Sequence, residues 1–200
     1  MNDARLALHG LAIKKHGTAA SVAEITGLDA ATVQQALDAA AQNGRVARTG
    51  EAFMLQPAAQ VALKMSYAPD YAAQRADTAM QATYDAFEII NRQLKTLMTD
   101  WQTLTLAGEQ VPNDHSDPGY DEKIIVRLGD LHERAEGILD RFAAGLPRLA
   151  LYKKLLARAL EKAEDGDVAW VSDVRCMSYH TTWFELHEDL IRVLGRTREA

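Results

Sequence analysis

The sequence contains a single cysteine, Cys176, so no intramolecular disulfide is available and no cysteine pair can hold a structural zinc. Stability is expected to come from packing. Only five prolines interrupt the 200 residues, and long apolar runs are missing: no window approaches the roughly 18 consecutive apolar residues of a membrane span. The opening MNDARLALHGLAIKK lacks the apolar stretch and small-residue cleavage site of a signal peptide. These absences predict a cytoplasmic protein with no membrane partner. The length suits one medium domain or two small ones, which excludes a large multidomain enzyme. A composition of 48% hydrophobic and 25% charged residues excludes disordered and collagen-like classes. Alanine is what the chain has in quantity, 34 residues, and alanine loses least on entering a helix. A mainly α protein is expected.

The formal charge of −6 is unevenly shared. Residues 1–64 carry six basic and five acidic side chains, a balance of +1, and the remainder carries −7. Two domains are expected, over 1–64 and 70–198, with a junction between Gln56-Pro57 and Pro69-Asp70, where two prolines bracket a short apolar stretch.

In the first domain Leu6, Leu8, Leu11 and Ile13 belong to a helix that stops at His16-Gly17-Thr18. Thr18 or Ser21 can cap a second helix, SVAEITGL, in which Glu24 follows Ser21 by three residues and Gly27 ends the turn. Asp29 caps a third helix over about Ala30 to Gln42, with Val33 and Leu37 on one face and Asn43-Gly44 at its end. Val46 and Phe53 to Leu55 then flank Thr49-Gly50-Glu51 as strand, turn and strand. Three helices followed by a hairpin give the order of a winged helix-turn-helix domain.

The segment SVAEITGLDAATVQQALDAAAQNGRVART resembles the helix-turn-helix and wing of MarR-like and GntR-like bacterial transcriptional regulators over roughly residues 3–62. That resemblance implies a third helix in the major groove, with Thr32, Gln34 and Gln35 near base edges. It also implies a wing with Arg45, Arg48 and Thr49 near the backbone. The third helix departs from the pattern in charge: it carries no basic residue, while Asp29 and Asp38 lie on or beside it, so nonspecific binding is expected to be weak.

From Tyr71 to about Thr103 the spacing of Met80, Tyr84, Phe87, Leu94, Met98 and Trp101 predicts one long amphipathic helix, with Asn91 interrupting its apolar seam. Ile124, Leu128, Leu131, Ala135, Ile138 and Phe142 form a heptad in a second, ended by Gly145-Leu-Pro147. Further helices are expected from about Arg148 to Glu164 and from about Ser172 to Leu194. Four such helices predict a four-helix-bundle-like domain for ligand sensing or dimerisation.

Three polar clusters stand out: Thr99-Asp100-Trp101, the loop from Pro112 to Asp121 with Asp114 and His115, and the stretch from Ser178 to Asp189. On the last helix His180, Trp183 or Phe184, and His187 fall on one face. Asn91, Trp101, Asp114, His115, Tyr179, His180, Trp183 and His187 are the candidate binding residues for a polar or anionic metabolite. A divalent metal is the second option, but the Glu-x-x-His pattern of bundle metalloproteins is absent, since Glu185 and His187 have the wrong gap. The third option is a purely structural role, with the aromatics as core and Cys176 as a small buried hydrophobe.

The strings NDHSDPGYD and SYHTTWFELHEDL resemble those of a poorly characterised group of short bacterial proteins labelled as regulators, some associated with phosphoenolpyruvate-utilising, dikinase-like enzymes. The leading expectation is a one-component transcriptional regulator that binds double-stranded DNA as a homodimer and responds to a small effector. The alternative is a non-enzymatic accessory protein docking on a partner enzyme. An enzyme using His180 or His187 beside Glu185 has no nucleophile motif, phosphate loop or cofactor fingerprint behind it. No catalytic residue, metal or cofactor is therefore assigned.

Overall fold

The computed structural model describes residues 1–106 and 108–198 and is mainly helical. The chain forms two compact units, Met1–Thr78 with Glu185–Ala200, and Ala79–Phe184.

In the first unit, α1 (Asp3–Lys14) starts where the Asn2 side chain accepts from the Arg5 N–H, and it buries Ala7, Leu8, Leu11 and Ile13. A two-residue strand, β1 (Gly17–Thr18), leads into α2 (Ala19–Thr26). Thr18 is its cap, accepting from Ser21 N at 3.2 Å, and Gly27 closes it in the left-handed region at φ 75°. Helix α3 (Ala30–Gln42) is capped by Asp29, which accepts from Thr32 N at 2.8 Å. Strands β2 (Val46–Thr49) and β3 (Ala52–Leu55) pair antiparallel, Val46 opposite Leu55 and Thr49 opposite Ala52. Gly50 takes the positive φ of 62° that their turn requires. Strand β1 adds to the other edge of β3, giving the order β1-β3-β2. A two-residue strand is too short for period-2 alternation to reveal it in sequence.

The expected junction is a helix, α4 (Pro57–Asp70). Pro57 sits in the first turn, where its missing N–H costs nothing, and Pro69 falls only in the last turn. Ala59, Leu63 and Tyr67 recur every four residues and are buried, so the short apolar stretch is one face of a helix. Helix α5 (Ala72–Ala76) follows. The first unit thus runs past 64 and recruits the end of the last helix, unlike the division at 64–70. Arg75 explains part of this: it donates to the carbonyls of Arg192 and Val193 at 2.9 and 3.0 Å, while Arg192 donates to the Ala12 carbonyl at 3.3 Å.

In the second unit, α6 (Thr78–Gln102) buries Met80, Tyr84, Phe87, Leu94, Met98 and Trp101, the stripe read from spacing, but begins seven residues after Tyr71. A hairpin of β4 (Thr103–Leu106) and β5 (Glu109–Pro112) follows, where only a loop was expected. Helix α7 (Pro118–Gly145), capped by Asp117, buries the whole heptad from Ile124 to Phe142. A short 3-10 turn (Pro147–Leu149) leads to α8 (Ala150–Glu164), which packs along α7. After α9 (Ala169–Ser172) comes α10 (Tyr179–Leu194), whose start lies seven residues beyond Ser172. Phe87 is the centre of the aromatic core, stacked on Trp183 at 4.8 Å and edge-on to Phe142 at 6.0 Å. Burial of each such ring stabilises the unit by about 1.5–3 kcal/mol.

Candidate functional site

The residues expected to meet DNA lie on α3, on the β2–β3 hairpin and, for Arg45, just before β2, and carboxylates already engage three of them. The Thr32 hydroxyl donates to Asp29, a bond that holds the Asp29 carboxyl below its ordinary value. The Gln34 amide donates to Asp38 at 2.9 Å. Arg48 bridges Asp38 at 3.1 Å and the Gly50 carbonyl at 2.9 Å, with its guanidinium 5.3 Å from the centre of the Phe53 ring. Gln35, Arg45 and Thr49 are exposed.

The candidate ligand residues separate into distinct groups. Asn91 is buried on α6, donating to Glu88 at 3.0 Å and accepting from the Trp183 ring N–H at 3.1 Å. Tyr179 is buried beside Trp183, and its hydroxyl lies 3.1 Å from His132 Nδ1. Burial raises the Tyr179 pKa and lowers that of His132, so both are neutral partners in a packed core. His132, 47 residues from Tyr179, was not among the candidate binding residues. His180 is half-buried, and desolvation lowers its pKa too. His187 is buried and belongs to the first unit, whereas Tyr179, His180 and Trp183 belong to the second.

Trp101 and His115 do come together. Trp101 lies ten residues beyond Asn91 on α6, about 15 Å along the axis, and its ring centre is 4.5 Å from that of His115. The loop before α7 turns back on itself: Asn113 Oδ1 accepts from His115 N at 3.0 Å, and Asp114 accepts from Ser116 N at 3.0 Å. Asp114 is exposed, and these bonds, Ser116 foremost, lower its pKa. Asp121, nearly fully buried on the first turns of α7, accepts from Asn113 Nδ2 at 3.0 Å and stands 3.0 Å from His115 Nδ1. His115 itself has φ 59°, in the left-handed region. That conformation costs a non-glycine residue about 1–2 kcal/mol and persists only where its surroundings impose it. Here Trp101, Asn113 and Asp121 impose it.

With Nδ1 directed at a carboxylate, His115 presents Nε2 outward, and Nε2 has no hydrogen-bond partner among the described residues. His115, Asp121 and Glu122 line a cavity of about 480 Å³ whose apolar wall includes Ile125, Val126 and Val168. Such a geometry can orient a polar ligand by one nitrogen against an apolar wall, or accept a proton there. The signal in the sequence was the density of Asn, Asp and His between Asn113 and Asp121; Asp121 as the anchor was not singled out.

A further buried group in the first unit escaped the sequence reading. His9 on α1 places Nε2 3.0 Å from Asp189 and Nδ1 3.0 Å from the Tyr67 hydroxyl, with His9 and Asp189 at zero exposure. Lys14 pairs with Glu185 at 2.8 Å. Burial raises the Glu185 pKa, while Lys14 opposes that shift. The Cys176 thiol bonds to the Ala169 and Asp173 carbonyls, and burial raises its pKa, so it is a poor nucleophile. Among the described residues no group of three or more His, Cys, Asp or Glu side chains is placed to hold a metal. No helix among them is long and apolar enough to cross a membrane. No family model, curated protein or solved structure matches this chain.

Proposed function

We propose that the protein is a DNA-binding transcriptional regulator, acting as a homodimer, in which α1 to β3 form a winged helix and the second unit is a four-helix-bundle-like effector domain. The observation that supports this best is the element order α1-β1-α2-α3-β2-β3 with a β1-β3-β2 sheet. In this reading α3 is the recognition helix and the exposed Thr49-Gly50-Glu51 turn is the tip of the wing. Gln34 and Gln35 read bases, and Arg45 and Arg48 contact phosphate. The effector is a small polar molecule held by His115 against the wall of Ile125, Val126 and Val168. Two half-sites compensate for the low charge of one recognition helix.

In this reading Asp38 restrains binding, because it occupies both Arg48 and Gln34. Fluorescence anisotropy of the full chain on its own upstream DNA, against a scrambled duplex at two salt concentrations, tests it. Arg45→Ala with Arg48→Ala is expected to flatten the salt slope by up to about two units, and Asp38→Asn to tighten binding several-fold. Equal binding by wild type and variants overturns the assignment of the wing. The absence of cations from α3 favours a second reading, a non-enzymatic accessory protein that docks on a partner enzyme through this face. Under that reading DNA binding is absent even at low salt, Asp38→Asn does not create it, and the protein purifies in complex with the enzyme.

A further inference from the structure

The cavity beside His115 lies wholly within the second unit, between the start of α7, the end of α8 and the turn that follows α8. Its wall of Ile125, Val126, Ala163 and Val168 is apolar. Val126 is 59% exposed and Val168 40%, so part of that wall meets water. A ligand with an apolar body would cover it, and a volume of about 480 Å³ suits a small molecule.

The polar part of the lining accepts hydrogen bonds and offers almost none. Three carboxylates line the cavity, Asp121, Glu122 and Glu164, and no lysine or arginine does. Asp121 is matched by Asn113 and His115. Glu122 and Glu164 are exposed and have no ion pair or hydrogen bond among the described residues. Glu164 is the last residue of α8, where the negative end of the helix dipole favours a cation. Lys162 in that last turn does not line the cavity. The Asp121 carboxylate at Nδ1 fixes the hydrogen of the neutral His115 ring there, which leaves Nε2 as a lone pair.

The backbone supplies no donor in compensation. At the start of α7 the Gly119 and Tyr120 N–H groups donate to the Asp117 carboxylate, and that of Asp121 donates to the Asp117 carbonyl. In the turn after α8 the Gly166 and Val168 N–H groups donate to the carbonyls of Ala163 and Gly166. An anion placed here would meet like charge and no donor.

We propose that this cavity binds a small hydrophobic amine, its ammonium group among Glu122, Glu164 and His115 Nε2 and its apolar body on Ile125, Val126 and Val168. A primary ammonium carries three donors and no acceptor, the complement of this lining. The ligand class rests on the cavity being the effector site, and it does not depend on DNA binding.

Tryptamine, tryptophol and indolepropionate share one ring system and differ in head group: ammonium, hydroxyl and carboxylate. Titration of the full chain with each at constant ionic strength, followed by calorimetry and amide NMR shifts, tests the proposal. Tryptamine is expected to bind saturably and about tenfold more tightly than the other two, with shifts at His115, Glu122 and Val126 and from Glu164 to Val168. Glu122→Gln and Glu164→Gln alter exposed, unpaired side chains, and each is expected to weaken tryptamine binding about threefold with an unchanged melting curve. Asp130→Asn removes an exposed carboxylate of α7 outside the cavity and is expected to leave the affinity unchanged. Preference for indolepropionate or tryptophol at the same residues overturns the amine and keeps the cavity as an effector site. Absence of shifts there with all three probes overturns the cavity too. Equal tryptamine affinity in both Gln variants, or an equal loss in Asp130→Asn, also overturns the proposal, the latter by showing that net charge alone attracts the amine.

Discussion

In the first unit His9 is sealed from solvent, with Tyr67 on one ring nitrogen and Asp189 on the other. In the second, His115 lies at the surface with Asp121 on Nδ1 and no partner on Nε2 among the described residues. The same pair of side chains serves two ends. Where both nitrogens are engaged in the core, the histidine specifies how α1, α4 and α10 fit together. Where one is left, the carboxylate orients an imidazole for something else. The backbone agrees with this division, because His115 carries a positive φ and His9 sits within a regular helix.

The largest break in this comparison is expected from Asp189→Ala, which strips a buried histidine of its carboxylate and is expected to cost about 3–5 kcal/mol by denaturant unfolding. Asp189→Asn, which still accepts from Nε2, is expected to cost clearly less. A loss below about 1 kcal/mol for the alanine variant would show that the buried pair does not hold the unit together.

How much of this was legible follows from distance along the chain. The caps Asp29 and Gly27 and the Gly50 turn announce α2, α3 and the hairpin because each acts within a few residues. His115 and Asp121 are six residues apart, so their loop already looked unusual. His9 and Asp189 are 180 residues apart, and no local pattern joins them. Helix α4 was hidden because two prolines read as breakers, although a proline in the first turn is compatible with a helix. The candidate ligand set was drawn from two helices and one loop. The fold instead distributes it among an aromatic core, a surface loop and the first unit.

A smaller, pH-dependent effect is expected from two further histidines, His132 and His180. Burial lowers the pKa of His132 and His180 from 6.5. Between that value and the folded one, the unfolded chain binds more protons than the folded chain, so stability falls as pH drops below 6.5. Unfolding curves between about pH 7.5 and 5.5 are expected to show this slope, flattened in His180→Gln. An unchanged slope in that variant would remove His180 from the buried class.

The smallest effect is expected at His115. His115→Ala is expected to change stability by less than about 1 kcal/mol, and His115→Gly, which accepts the positive φ, to be neutral or stabilising. Losses comparable to those of Asp189→Ala would erase the contrast and make the surface pair structural as well.

Because Asp189 and Arg192 supply partners to His9 and the Ala12 carbonyl, α1 waits for α10. A ribosome releases α1 long before it releases α10, so during synthesis His9 lacks the carboxylate that Asp189 later supplies. Closing that gap joins residues 180 positions apart, which makes α1 one of the last elements to reach its final packing. A fragment cut after residue 78 would keep the α3 and hairpin sequence, yet it would leave His9 and Tyr67 facing water that the complete chain excludes.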